Sequence, residues 1–164
     1  MSNKLKELAN IARNPGWLCF VWFGMTAGIS LLEGPVKFTA PTLTRVVALD
    51  VGRVVFEALN KAELVALIVL LLLVRMSGKA RELWAYCAAV VLIMMAQTLW
   101  LLPQLSSRAE LIVAGIEPEP SIAHAAYAST ELLKLILLLV LGFRSLKDYP
   151  AREGAPTIFL LAPL

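Results

Sequence analysis

The sequence predicts an all-α fold, an integral membrane four-helix bundle, and two observations support that prediction. First, 59% of the 164 residues are apolar and the mean hydropathy is +0.77, whereas soluble domains carry roughly 45–50% apolar residues. Second, the apolar residues form long runs without charges, at 66–74, 84–103 and 135–143. A helix needs about 20 largely apolar residues to cross a bilayer, and runs this long and continuous exclude barrel strands.

These runs define four spans within a single membrane domain of residues 1–149. The spans lie at about 16–32, 56–74, 83–102 and 122–143. We expect Thr42 to cap the second helix, which then meets no breaker except Gly52 before Val74. At 1.5 Å per residue this helix is about 48 Å long, so its first turns extend into the periplasm. Residues 150–164 form a Pro- and Gly-containing C-terminal tail that is too short to cross.

The distribution of basic residues predicts the orientation, because cytoplasmic segments carry an excess of Lys and Arg. Nine basic residues fall on the side of the two chain ends, and four fall on the opposite side. The nine are Lys4, Lys6, Arg13, Arg75, Lys79, Arg81, Arg144, Lys147 and Arg152, and the four are Lys37, Arg45, Arg53 and Arg108. Both termini are therefore predicted to be cytoplasmic. The loop between the third and fourth spans is predicted to run from Pro103 to Ser121.

Polar residues inside the spans are informative, because ionisable side chains in a bilayer usually face the bundle interior, a partner or a cavity. Two polar stripes follow a helical spacing of 3, 4 and 3 residues, one on the second helix and one on the fourth. The two helices run in the same direction, so we expect the stripes to flank one interior that opens outward. The stripes are Asp50, Arg53, Glu57 and Asn60, and His124, Tyr127, Glu131 and Lys134.

The candidate site consists of these residues and their expected ion-pair partners. Such pairs either hold a bundle together, at about 0.6 kcal/mol each, or form a site for a ligand, ion or proton, and the sequence leaves both readings open. The predicted pairs are Lys134 with Glu63 or Glu131, and Arg53 with Asp50 or Glu57. The candidate ligand- or ion-binding residues are Glu33, Arg53, Glu57, Asn60, Glu63, His124, Tyr127, Glu131 and Lys134.

The sequence contains none of the motifs that would indicate an enzyme. It has no P-loop, GxGxxG, HExxH, GxSxG or CxxCH pattern, and His124 is its only histidine. We therefore predict no catalytic residue, and the cofactor and metal are left undetermined. Three carboxylates together with His124 could hold a cation: Glu57, Glu63 and Glu131. The net charge of +3 is explained by the orientation and gives no argument for nucleic acid.

An internal repeat indicates two related helical hairpins. The segments AELVALIVLLLLVR (62–75) and TELLKLILLLVLGFR (130–144) each place a glutamate 12 or 13 residues before an arginine. The first and third spans end in LLEGP and WLLPQ. Two parallel hairpins of this kind would be related by a pseudo-twofold axis, as in parallel-repeat transporters.

Three segments carry a resemblance to a known group of proteins. They are EGPVKFTAPTLTRVVALDVGRVVFEALNKAE (33–63), QTLWLLP (97–103) and AAYASTELLKLILLL (125–139). They resemble a family of small four-span bacterial inner-membrane proteins of unknown function, which is distantly similar to the eukaryotic transmembrane-protein-205-like domain. The resemblance covers most of the chain and implies a four-helix fold in a bacterial inner membrane. It implies no activity and therefore no functional residues.

Two functional hypotheses follow. The first is a membrane protein whose outward-facing polar interior binds or passes a small ligand, ion or proton. Four short spans enclose little volume, so we expect it to be a homo-oligomer. The alternative is a non-catalytic accessory subunit of a larger membrane complex, in which the polar stripes are assembly contacts.

Overall fold

A computed structural model of the chain describes residues 13–77 and 80–147. Within these ranges all regular structure is helical. The predicted tail at 150–164 lies outside the described residues, as do Lys4, Lys6, Lys79 and Arg152 among the basic residues that predict the orientation.

The described residues form five long helices, two of which continue into π-helical segments. Helix α1 spans Pro15–Ala27 and continues as a π-helix over Gly28–Glu33. A helical turn over Gly34–Val36 and a 3₁₀ turn over Lys37–Thr39 follow it. Helix α2 spans Arg45–Met76. Helix α3, Ala80–Ala96, continues as a π-helix, Gln97–Leu101, and then as α4, Leu102–Val113. Helix α5 spans Ala123–Leu146.

Side-chain caps explain where two of these helices begin. The Asn14 side chain accepts a hydrogen bond from the Gly16 amide at the start of α1. Helix α2 is capped by Thr44, whose side chain accepts from the Val47 amide. The predicted cap, Thr42, lies instead in the preceding turn, because the Leu43 amide bonds back to the Ala40 carbonyl and delays the helix.

Three helical stretches are long and apolar enough to cross a membrane: Pro15–Thr39, Leu83–Val113 and Ala123–Leu146. They indicate a multi-pass membrane protein. Helix α2 is not among them, because its apolar part, residues 57–74, still carries three charged residues. Two of the three form an exposed pair, and the third lies in the bundle interior; they are Glu57, Lys61 and Glu63.

The third predicted span ends later than expected, because Pro103 lies inside a continuous helix rather than at its end. The Leu102 amide donates to the Gln97 carbonyl, five residues back, and Pro103 follows directly. A π segment shifts the hydrogen-bond register by one residue, so a residue without an N–H is accommodated there. The first helix repeats this arrangement, where the Gly34 amide bonds to the Ile29 carbonyl.

Helices α1 and α5 are antiparallel and approach each other closely at one end. There the Asn14 side chain donates to the Ser145 carbonyl at 3.0 Å. A Cβ on Gly16 would lie 2.9 Å from the Gly142 carbonyl oxygen, so only glycine permits this backbone approach. Helices α2 and α5 run in the same direction, since Phe56 packs on Tyr127 and Glu63 pairs with Lys134, in the same order along both helices.

An apolar core fills the half of the bundle nearest Asn14. Its side chains come from α1, α2, α3 and α5 and are almost fully buried. They are Cys19, Trp22, Leu67, Leu70, Val74, Leu83, Cys87, Val90, Met94, Leu138 and Leu141. Among these residues, Trp22 bonds outside the core through its indole nitrogen, which donates to Glu63. The apolar core separates the polar residues from the Asn14 end of the bundle.

The first hairpin consists of α1 and α2, and the second of α3, α4 and α5. Corresponding residues of the two hairpins are separated by a constant number of residues. Pro103 follows Pro35 by 68 residues, and Glu131 follows Glu63 by the same 68. Each proline directly follows the residue whose amide donates the last hydrogen bond of a π-helical segment. This residue is Gly34 before Pro35 and Leu102 before Pro103. The repeat found in the sequence therefore has a structural counterpart in the backbone.

Candidate functional site

Three ionisable side chains meet at the centre of the bundle, and we call them the ionic cluster: Glu63 of α2 with Glu131 and Lys134 of α5. The Lys134 ammonium lies 2.7 Å from Glu63 Oε1 and 2.8 Å from Glu131 Oε2. The side chains of Lys134 and Glu63 are 0% exposed and that of Glu131 is 3% exposed. Both of the pairs predicted for Lys134 are thus present together.

Helix α1 supplies the hydrogen-bond donors for Glu63. The Trp22 indole nitrogen and the Thr26 hydroxyl each donate to Glu63 Oε1 at 2.8 Å. The two donors are four residues apart and therefore share one helix face. Because an indole N–H can only donate, this oxygen is held as an acceptor.

The second π-helical segment supplies the remaining contacts. The Gln97 amide group donates to Glu131 Oε2 at 2.8 Å, and its oxygen accepts from the Lys134 ammonium at 2.9 Å. Beside it, the Asn60 amide group donates to the Thr98 hydroxyl at 2.9 Å, which joins α2 to the same segment.

The ionic cluster is closed and fully bonded. Among the described residues, no buried side-chain nitrogen or oxygen lacks a hydrogen-bond partner. With both carboxyl groups ionised, two glutamates and one lysine carry a formal charge of −1. This network joins α1, α2, α5 and the π segment after α3, and removing Lys134 would leave two buried carboxylates without their cation. The sequence led us to expect an interior that opens outward at this point, whereas the structure encloses these three side chains almost completely.

A cleft of about 570 Å³ lies above the cluster, at the end of the bundle away from Asn14. Its walls come from the π segment and turns after α1, and from α2, α4 and α5. Most of the lining is apolar, including Phe56, Leu102 and Leu105. The polar groups that line it are Ser30, Lys37, Arg53, Ser106, His124 and Tyr127.

Tyr127 forms part of the cleft wall and leaves its hydroxyl available. Its ring packs edge to face against Phe56, with centroids 5.8 Å apart, and only 6% of the residue is exposed. No hydrogen bond joins its hydroxyl to any side chain in the described part of the chain. The hydroxyl oxygen is not fully buried, since no fully buried side-chain oxygen among the described residues lacks a partner. Because Tyr127 lines the cleft, the accessible surface of the hydroxyl faces it.

Lys37 is a second incompletely bonded group in the cleft. Its only ion-pair partner among the described residues is Glu33, at 3.4 Å, which is long for a hydrogen bond. The Lys37 side chain is 10% exposed, and its ammonium lies 5.5 Å from the Phe56 ring centroid. The Lys37 ammonium lies against α2 at Gly52. A Cβ added to Gly52 would be 2.7 Å from the Lys37 ammonium nitrogen.

Several predicted site residues do not join the ionic cluster. Arg53 pairs with Asp50 at 2.9 Å and with Glu110 at 3.6 Å, but not with Glu57. The hydrogen bond that Arg53 donates to the Asp50 carboxylate raises the pKa of the guanidinium, so it stays charged beside the cleft. Glu57 pairs with Lys61 at 2.8 Å on the exposed face of α2.

His124 is exposed at the cleft and does not meet the carboxylates. The cation site considered from the sequence is therefore not assembled. Among the residues that the structure describes, no group of three or more His, Cys, Asp or Glu side chains is placed to hold a metal ion.

The site residues predicted from the sequence leave out five that the structure places there: Trp22, Thr26, Ser30, Lys37 and Gln97. The first three are spaced by four residues on one face of the first helix, so a third polar stripe was present in the sequence. Lys37 was counted only as a loop charge. Its position over α2 depends on the turns after Pro35, which no periodicity predicts.

Comparisons with protein-family models, curated proteins and solved structures find no match for this chain. The family resemblance seen in the sequence therefore stays a prediction.

Proposed function

We propose that this chain is a four-span membrane protein, with both termini cytoplasmic, that binds a small ligand in a cleft open to the outer side. In this arrangement α2 crosses the membrane in addition to the three stretches named above, as the second of four spans. The exposed pair of Glu57 and Lys61 lies near the outer surface, and the remaining charge of the span, Glu63, is neutralised within the ionic cluster. The excess of basic residues at the chain ends supports the orientation.

The observation that carries the proposal is the Tyr127 hydroxyl. Only 6% of Tyr127 is exposed, yet its hydroxyl keeps accessible surface, because no buried side-chain oxygen among the described residues lacks a hydrogen-bond partner. This hydroxyl has none among the described residues and faces a cleft. A ligand that accepts or donates a hydrogen bond there would complete the site.

The size of the cleft favours a molecule over an ion or proton. Small-molecule sites enclose about 300–1,000 Å³ and are lined mostly by apolar groups with a few polar ones. A cleft of about 570 Å³ falls within that range. The apolar core below the ionic cluster offers no polar route toward the Asn14 end through the described residues, which favours binding over passage.

Native mass spectrometry of the full chain tests this proposal. The protein is embedded in nanodiscs made from a bacterial polar lipid extract and released in the spectrometer. Ser106 lines the cleft, so Ser106→Trp fills it, whereas Ser107 is its exposed neighbour on the same helix. We expect a small-molecule adduct on the wild type and on Ser107→Trp, and none on Ser106→Trp. Equal adducts on both tryptophan variants, or none on the wild type, would refute cleft binding.

A structural role in a larger complex is the second candidate, and the closed ionic cluster favours it. All of its polar atoms are bonded within the chain, which is sufficient for a network that only holds helices together. Purification in a mild detergent separates the two candidates. Other membrane proteins that copurify at fixed stoichiometry, with the cleft empty, would support this role.

A further inference from the structure

Resting on the proposed function, we infer that the ligand of the cleft is an amphiphile with an anionic head group, which Lys37 binds. The apolar walls hold its hydrocarbon part. The inference names the chemical class of the ligand and the residue that selects it.

The bonding of Lys37 is the first step. An ammonium has three N–H donors, and that of Lys37 has one ion-pair partner, at 3.4 Å. By comparison, the buried Lys134 ammonium in the ionic cluster has oxygen partners on three side chains, at 2.7–2.9 Å. A desolvated ammonium with free donors gains most from an anionic oxygen.

The charges around the cleft are the second step. The charged side chains that line it are both basic, Lys37 and Arg53, and the exposed His124 imidazole adds a further donor. No carboxylate lines the cleft in the described part of the chain. Glu33 pairs with Lys37, and Asp50 and Glu110 pair with Arg53, but these three carboxylates lie outside the cleft lining. A negative head group therefore meets no carboxylate in the cleft wall, although at the Lys37 ammonium it shares the cation with Glu33.

The remaining lining determines the other half of the ligand. Phe56, Leu102 and Leu105 form an apolar surface that continues from the Lys37 ammonium toward the floor. The Tyr127 hydroxyl, which also lines the cleft, offers a further polar contact to the ligand. A small hydrophilic anion would leave this apolar surface without a partner, whereas a hydrocarbon chain covers it.

The experiment compares three probes on the full chain in nanodiscs, by native mass spectrometry titration. Dodecanoate carries both parts of the ligand, 1-dodecanol carries the chain alone, and acetate carries the head alone. We expect dodecanoate to bind at least about tenfold more tightly than either of the others, which corresponds to about 1.4 kcal/mol. Ser106→Trp should abolish dodecanoate binding.

Two variants test Lys37 itself. Lys37→Met removes the charge and keeps the length of the side chain, and we expect at least about a tenfold loss of dodecanoate affinity. Gly52→Ala keeps the charge but places a methyl group 2.7 Å from the ammonium, so the flexible lysine must shift from its position on α2 and we expect a smaller loss. The matched control is Lys61→Met, a lysine that also pairs with a glutamate four residues earlier but is 72% exposed and outside the cleft.

The outcomes separate this inference from the function on which it rests. If 1-dodecanol binds as tightly as dodecanoate and Ser106→Trp blocks both, the anionic head is refuted and cleft binding stands. Unchanged dodecanoate affinity in both Lys37→Met and Gly52→Ala would refute the role of Lys37. If Ser106→Trp affects neither the probes nor the native adduct, both the inference and the proposed function fail.

Discussion

The Ser30 hydroxyl donates to Glu131 Oε1 at 2.7 Å, and this bond joins the floor of the cleft to the ionic cluster. Ser30 lies in the π-helical segment after α1 and lines the cleft, whereas Glu131 is buried in α5. A hydroxyl both donates and accepts, so Ser30 is the one partner of the cluster that can also bond to a molecule in the cleft.

Removing this hydroxyl should weaken the bundle measurably. In Ser30→Ala, one oxygen of a buried carboxylate loses its donor, which typically costs about 1–3 kcal/mol of unfolding free energy. Ser129→Ala is the control, because Ser129 is exposed and bonds only to the carbonyl of Ala125 within its own helix. Unfolding by sodium dodecyl sulfate, followed by circular dichroism, compares the two. Equal stability of both variants would contradict a role for the Ser30 bond.

Loss of the central lysine should be far more damaging than loss of a surface lysine. Lys134→Met leaves Glu63 and Glu131 buried without a cation, and we expect a loss of about 3–5 kcal/mol. Lys61→Met removes an exposed pair and should cost no more than about 1 kcal/mol.

A double-mutant cycle then identifies the cause. Glu63→Gln should cost less stability in the Lys134→Met background than in the wild type, because the charge that it removes no longer has a partner. Additive effects of the two changes would show that these side chains are not coupled.

Two glycines of α1 should respond to alanine in opposite ways. At Gly16 the added methyl group would meet the backbone oxygen of Gly142 at 2.9 Å, so Gly16→Ala should separate α1 from α5 and lower the unfolding midpoint. At Gly24 nothing lies within 4 Å, and alanine is better than glycine in a helix by up to about 1 kcal/mol. Gly24→Ala should therefore keep or raise the midpoint in the same detergent. A reversed order would contradict the close approach of the two helices.

Cysteine labelling tests the proposed orientation without a cysteine-free background. Cys19 and Cys87 are both fully buried, so a membrane-impermeant maleimide should not label the native protein in intact cells. Ser106→Cys places a thiol in the cleft and should be labelled from outside. Lys147→Cys, exposed at the opposite end, should be labelled only after the cells are opened. Labelling of Lys147→Cys in intact cells would reverse the orientation.

Much of the fold follows from local rules that the sequence displays. Continuous apolar runs predicted an all-helical membrane protein, and the 3, 4 and 3 spacing predicted that α2 and α5 face one interior. The end of the third span was misjudged, because proline is a reliable helix breaker only where the i to i−4 register continues. At Pro103 the preceding π segment changes that register, and a π segment has no simple sequence signature.

The site was harder to predict than the fold, because its state depends on packing. Spacing placed Glu131 and Lys134 on one face, and Glu63 was an expected partner of Lys134. The sequence could not show that Trp22 and Gln97 enclose these side chains. Glu57 has the same chemistry as Glu63 and belongs to a polar stripe, yet its nearest cation is four residues along its own helix. Which glutamate turns inward is decided by side chains from other helices.

The position of Lys134 makes the two hairpins unequal. At the constant offset between them, its counterpart in the first hairpin is Ala66, while both hairpins keep their glutamate. Two identical hairpins would bring either two amines or none to their shared axis, and neither arrangement places a single cation between two carboxylates. A single cation between the two carboxylates therefore requires that the two halves of the chain differ at this position, so a hairpin repeated without change could not build the triad.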